Sequence, residues 1–221
     1  MKSLLFDYGG TLDADGTTWL ERFHPLYKEA GLDIPKERFD RAFYDSDDHL
    51  HTRHALKGLD LAQTVRLQVA DVVAALAPGR PELIDEVAGR FTADCRLQFK
   101  RLTPALERLS KRYRLGIVSN FYGNLDGILT AEGLRPLFDV VADSGVLGVT
   151  KPEPAIFLHA AKALAASPED CVMVGDSIKR DMAGAAAVGM KKALISIAGD
   201  VPNCGQDWTI RSVMDLEGIL S

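Results

Sequence analysis

The sequence predicts an α/β fold in which a parallel sheet carries helices on both faces and a helical segment is inserted between the first two strands. Three features carry this expectation. Short apolar runs stop abruptly at small or polar residues, helical patterns separate the later runs, and one long stretch has helical periodicity without a comparable strand-like run. At 221 residues the chain is long enough for a large α/β core with a smaller insert, and 47% hydrophobic with 26% charged residues are the proportions of a folded globular protein.

The first strand is expected at Leu4-Leu5-Phe6, stopping at Asp7. It has no polar face, as in a strand covered on both sides. Leu115-Gly116-Ile117-Val118 before Ser119, Val140-Val141 before Ala142, and Val172-Met173-Val174 before Gly175-Asp176 repeat the pattern. Helical spacing over 104–113, 124–132, 154–164 and 181–188 supplies the connections between them. Within 17–101, residues such as Leu61, Val65, Leu67, Val69, Val72, Val73 and Leu76 carry helical periodicity, and Pro78-Gly79-Arg80-Pro81 reads as a turn inside the insert. The expected organisation is a core of residues 1–16 and 102–221 with an insert of 17–101. In such sheets ligands bind beyond the carboxyl ends of the strands, which brings Asp7, Ser119 and Asp176 to one crevice.

Charge and composition narrow the function classes. A formal net charge of −5 disfavours a polyanion binder, so a small metabolite is the expected partner and nucleic acid is not. The cysteines, Cys95, Cys171 and Cys204, are three in number and far apart, which suits a reducing cytoplasm. After Met1-Lys2-Ser3 an apolar run of only three residues leads to Asp7, too short for the apolar region of a signal peptide, and no run reaches membrane-spanning length. A monomer and a homodimer are both compatible with the sequence.

Four motifs carry chemistry. Asp7-Tyr8-Gly9-Gly10-Thr11 follows the first strand with a carboxylate and two glycines that let the backbone turn around an anion. Ser119-Asn120 ends the second with a hydroxyl and backbone N–H groups. Lys151, in Gly148-Val149-Thr150-Lys151-Pro152, places a cation at a helix start, where anions are usually preferred. Gly175-Asp176 and Asp181 put two carboxylates around a strand-end loop, oxygen donors of the kind that suit Mg²⁺.

In this order the four motifs resemble the haloacid dehalogenase superfamily, most of whose members are Mg²⁺-dependent phosphatases. The resemblance implies a Rossmann-like core, with the helical insert as a cap, and hydrolysis of small phosphate monoesters through an aspartyl-phosphate. It further implies Asp7 as nucleophile and Lys151 as the catalytic cation, with Thr11, Ser119, Asn120 and Lys151 around the phosphoryl group. The metal would be held by Asp7, the Gly9 backbone carbonyl, Asp176 and Asp181, the last directly or through a neighbour.

The sequence departs from the pattern at one position. Phosphatases of this superfamily carry Asp-x-Asp, and here the second aspartate is Gly9. Loss of a positioned general acid/base costs about 10²–10⁴-fold in rate, so turnover is expected to be slow unless another residue replaces it. Asp13 and Asp15 are nearby candidates. Gly9 also keeps alternatives open: a non-hydrolytic phospholigand-binding or regulatory relative, a 2-haloacid dehalogenase using Arg38 or Arg41, or a phosphonate hydrolase using Lys57. The segment Asp47-Asp48-His49-Leu50-His51-Thr52-Arg53-His54 could recognise the non-reacting part of a substrate through His51, Arg53 or His54, or be an exposed helix end. Trp19, Phe23, Tyr27, Phe39, Phe43 and Phe91 are expected to pack the insert.

Overall fold

In the computed structural model, which describes residues 2–199 and 201–220, strands β1 (Ser3–Phe6), β2 (Arg114–Ser119), β3 (Val140–Asp143), β4 (Cys171–Gly175), β5 (Lys191–Ile195) and β6 (Trp208–Ile210) form one parallel sheet. Their order is β3-β2-β1-β4-β5-β6. The chain therefore reverses its direction of winding next to β1, which makes the carboxyl ends of β1 and β4 the topological switch point. Phe6 pairs with Ile117 on one side and Val174 on the other. That register sets Asp7 one step beyond the sheet, beside the residues that lead into Ser119 and Asp176.

Alternation along β1 divides the core. Leu4 and Phe6 face one layer with Ile117, Val174 and the helical residues Leu102 and Leu106, whereas Leu5 faces the other with Met173, Ile156, Phe157 and Ala160. Gly116 is required between them, because a Cβ there would lie 2.6 Å from Val140 and 2.8 Å from Leu5. Helices α5 (Leu125–Ala131), α6 (Ser144–Leu147), α7 (Pro154–Ala163), α8 (Ala183–Ala187) and α9 (Leu216–Ile219) accompany the sheet.

Four helices fill the connection between β1 and β2: α1 (Trp19–Glu29), α2 (Lys36–Arg53), α3 (Leu61–Leu76) and α4 (Glu82–Ser110). Reciprocal side-chain caps start two of them, Thr18 with Glu21 for α1 and Asp60 with Gln63 for α3. The Phe23 and Phe91 rings stack at 3.9 Å and join α1 to α4. The expected helix over 104–113 is the end of α4, which passes through Pro104 without a break and stops at Ser110. Burial of Leu102, Leu106 and Leu109 on the sheet outweighs the hydrogen bond that Pro104 cannot make. The expected helix over 181–188 opens earlier, as a wide turn at Ile178–Met182, because both the Asp181 and Met182 amides bond the Ser177 carbonyl. Two strands lay outside the sequence expectation: β5 begins with Lys191-Lys192, and β6 is only three residues long. Among the described residues no helix is long and apolar enough to cross a membrane.

Candidate active site

Asp7 leaves β1 with its backbone N–H bonded to the Val174 carbonyl, 2.9 Å away. Its side chain is held asymmetrically. Oδ1 accepts from the Tyr8 amide at 2.7 Å and the Ser119 hydroxyl at 2.8 Å, and lies 2.7 Å from the Lys151 ammonium. Among the described residues no protein group donates to Oδ2. One oxygen is thus fixed by three donors, and the other remains available for chemistry.

Lys151 is buried and bridges two carboxylates, its Nζ lying 2.7 Å from Asp181 Oδ1 as well as from Asp7 Oδ1. Burial alone would lower its affinity for the proton, but Asp181 and Asp7 reverse the effect and the ammonium is held above its ordinary pKa. Asn120 fixes the lysine backbone at two points: its Oδ1 accepts from the Lys151 N–H at 2.7 Å, and its Nδ2 donates to the Lys151 carbonyl at 3.1 Å. The loop after β2 is anchored by Asp143, whose carboxylate accepts from the Gly123, Leu125 and Gly145 amides.

Asp7, Asp176 and Asp181 each offer an oxygen within 4.8 Å of the others. The Asp181 Oδ2 accepts from the Ser177 amide at 3.0 Å, and Gly175 makes room for that carboxylate, since a Cβ at 175 would lie 2.3 Å from it. Gly10, at φ +81°, does the same for Asp176, whose Oδ2 would be 2.7 Å from a Cβ. Burial pushes the Asp176 carboxyl up to about 8, with the charges of Asp7 and Asp181 adding to it. Burial likewise raises Asp181, against the partial offset of Lys151. The cluster carries more negative charge than Lys151 balances, and its donors are all hard oxygens, a composition that fits a divalent cation such as Mg²⁺.

Two of the residues expected around the phosphoryl group have protein partners here. Thr11, expected at the phosphoryl group, is fully buried and donates to Asp176 Oδ1 at 3.3 Å, which makes it an orienting residue for that carboxylate. The Asn120 side chain holds the Lys151 backbone, and the residue lines the crevice beside Ser119, where its backbone N–H was expected to meet the phosphoryl group.

Gly9 has ordinary extended backbone angles, and a Cβ there would touch Trp19 Nε1 at 3.5 Å. A side chain at position 9 would thus start in ordinary contact with the Trp19 indole, beside which Gly9 lines the crevice. Asp13 and Asp15 do not replace that side chain, because neither lines the crevice. Asp13 is buried, with Oδ1 accepting from the Gly10 amide at 2.7 Å and Oδ2 from Trp19 Nε1 at 2.5 Å and Arg22 at 2.9 Å. Asp15 pairs with Arg101 at 2.8 Å. Burial raises the Asp13 carboxyl, and Arg22 offsets part of the rise. Arg22→Met should therefore lower stability by about 3–5 kcal/mol, read from the urea unfolding midpoint, because it strands a buried carboxylate. A loss under about 1 kcal/mol would contradict this account of the Asp13 pair.

The crevice above Asp7 has a volume of about 620 Å³ and reaches from the sheet edge to α1 and α2. Trp19 and Phe43, expected only as packing residues, form part of its wall. The remaining aromatics of that group are buried in the helical layer as expected. None of His49, His51, Arg53 or His54 lines the crevice: His54 bonds Asp71 at 2.9 Å and Arg53 pairs with Asp45 at 2.9 Å, within the helical segment. Their neighbour Asp47 does line it, together with Tyr122, Lys179 and Arg180. Helical phase was the available signal, since Asp47 is one turn beyond the buried Phe43 and so lies on the inward side of α2.

The comparisons with known proteins agree with this geometry. The family model for haloacid dehalogenase-like hydrolases matches residues 1–189. The chain is 42% identical over 201 residues to the Homo sapiens haloacid dehalogenase-like hydrolase domain-containing protein 3, covering 80% of this chain and 78% of that one. It is 34% identical over 172 residues to the glyceraldehyde 3-phosphate phosphatase of Pyrococcus furiosus, covering 76% of this chain and 63% of that protein. A solved phosphatase from Thermococcus onnurineus superposes with a TM-score of 0.60 at 30% identity, covering 100% of this chain and 98% of the other. With the sheet order, the strand-end carboxylates and the bridging lysine in place, these matches identify the chain as a member of the haloacid dehalogenase-like hydrolase family.

Proposed function

We propose that the protein is a cytoplasmic, Mg²⁺-dependent hydrolase of small phosphate monoesters that works through an aspartyl-phosphate on Asp7. The observation that carries this reading is the division of labour on Asp7, with Oδ1 fixed by Tyr8, Ser119 and Lys151 and Oδ2 without a protein donor. An orientation set before substrate arrives favours in-line attack. The phosphatase relatives support the substrate class, and a crevice of about 620 Å³ suits a small metabolite. Cys95, Cys171 and Cys204 are all free thiols, in keeping with a reducing compartment.

In this reading Asp7 Oδ2 attacks phosphorus, a new O–P bond forms, and the ester P–O bond opposite breaks. Lys151 offsets charge on the transferring group while Asp181 keeps its ammonium in place. Water then cleaves the acyl phosphate and releases inorganic phosphate. Asp7, Asp176 and the Gly9 carbonyl would hold Mg²⁺, with Asp181 behind them. When bound, the ion supplies positive charge that lets a carboxylate approach a dianionic phosphoryl group. Residues 17–101 act as the cap that closes the crevice from above.

The rival bond cleavages have less support. Arg38 and Arg41 are exposed and absent from the crevice wall, Arg41 being paired with Glu37, and Lys57 is likewise exposed away from it. The test is release of 4-nitrophenol from its phosphate ester. Activity should appear with Mg²⁺, fall by about 10²-fold or more in EDTA, and return when excess Mg²⁺ is added. Equal rates with and without the chelator would overturn the metal-dependent reading.

A further inference from the structure

Breaking an ester P–O bond leaves an alkoxide that needs a proton, and Gly9 cannot supply one. Asp13 and Asp15 are tied up outside the crevice. Among the described residues the crevice wall holds three carboxylates, Asp7, Asp176 and Asp47, and no histidine. Asp7 and Asp176 belong to the acidic cluster on its floor, so Asp47 on α2 is the carboxyl group left over.

Its setting is built rather than incidental. The Tyr122 hydroxyl, from the loop after β2, donates to Asp47 Oδ1, and Gln68 Nε2 on α3 donates to the same oxygen at 3.3 Å. Oδ2 has no protein donor, in a residue that lines the crevice. The arrangement repeats that of Asp7: one oxygen is held by donors, and the other is left for the substrate. Gln68 is itself fixed in the helical layer, buried to 1% exposure, with its backbone carbonyl accepting from Ser46. Burial also raises the Asp47 carboxyl, and Asp48 adds to the rise; Tyr122, Arg180 and Gln68 pull the other way without cancelling it.

We propose that Asp47 is the general acid of the reaction, supplied by the inserted helices in place of a residue at position 9. The inference rests on the phosphatase reading given above. As Asp7 Oδ2 bonds to phosphorus and the ester P–O bond breaks, the Asp47 O–H proton passes to the leaving oxygen, releasing the alcohol and leaving an Asp47 carboxylate. Water then attacks the phosphorus of phospho-Asp7, the carboxylate takes up a water proton, and inorganic phosphate departs with Asp7 and Asp47 both restored. The sum is one ester and one water converted to one alcohol and one phosphate, with no oxidant or further reactant. Tyr122 and Gln68 are positioning residues for this acid.

The test separates proton donation from a merely structural bridge between α2 and the loop after β2. Asp47→Asn keeps an oxygen that accepts from Tyr122 but removes the proton. kcat/KM is measured for 4-nitrophenyl phosphate, whose leaving group departs unprotonated, and for benzyl phosphate, whose leaving group does not. The expected result is a loss of about 10²–10⁴-fold on the benzyl ester and a change of only a few-fold on the aryl ester. The aryl activity doubles as proof that the variant is folded. Equal losses on both esters, or no loss on either, would overturn the role of Asp47 and leave the phosphatase reading intact. A native chain inactive on both esters with Mg²⁺ would overturn the phosphatase reading and this inference with it.

Discussion

Asp7→Asn is expected to lower turnover of an aryl phosphate by about 10⁴-fold or more while leaving the fold in place. The amide has the shape of the carboxylate, and its carbonyl oxygen can still accept from the Tyr8 amide and the Ser119 hydroxyl. Lys151 keeps its second partner, Asp181, at 2.7 Å. One negative charge leaves a crowded acidic cluster, so the stability term that Asp7 takes part in is relieved rather than broken. In the proposed mechanism what disappears is the nucleophile, since a neutral amide does not form the acyl phosphate. The measurement is kcat beside a urea unfolding curve: an inactive chain with a native-like midpoint is the expected pair. Retained activity would remove Asp7 from the reaction.

Lys151→Met should damage both stability and rate. Methionine keeps much of the length and flexibility of the lysine stem, so the change isolates the charge. Lys151 Nζ is the ammonium between Asp7 and Asp181, in a site where the lysine side chain is 1% exposed. Its removal strands those carboxylates in a poorly hydrated setting, a loss of about 3–5 kcal/mol. The rate should fall by about 10²–10³-fold as the charge aimed at the transferring group is lost. If the acidic cluster holds Mg²⁺ as proposed, the ion should restore part of the stability by offsetting the Asp7 and Asp181 charges. A variant as stable as the native chain in metal-free buffer would show that Lys151 is not the group balancing this cluster. The urea midpoint with and without Mg²⁺ reads the outcome.

The legible part of the site is the part built locally at strand ends. Asp7, Ser119 and Asp176 follow buried apolar runs directly, and any parallel sheet with β1 between β2 and β4 brings those ends together. Lys151 was legible because a cation at a helix start goes against the usual electrostatic preference. The protein partners of the Thr11 hydroxyl and the Asn120 carboxamide were not, since each group has several partners in reach, and tertiary geometry chose Asp176 for one and the Lys151 backbone for the other. Asp13 misled for a related reason: proximity in sequence put it near Asp7, but the Gly10 turn carries it inward to Arg22 and Trp19. Asp47 depended on how the inserted helices seat against the sheet. In the fold itself, β5 hid behind two lysines and α4 behind a proline that would ordinarily mark a start.

The most direct test of the account is the mass of the chain during a single turnover. Enzyme in excess over 4-nitrophenyl phosphate, with Mg²⁺, is quenched in acid and digested. The peptide containing Asp7 is expected to gain the mass of one phosphoryl group, to lose it to hydroxylamine as an acyl phosphate does, and to show no gain in Asp7→Asn. Release of 4-nitrophenol at the native rate with no such peptide at any time of quench, or with the phosphoryl group on another residue, would contradict it.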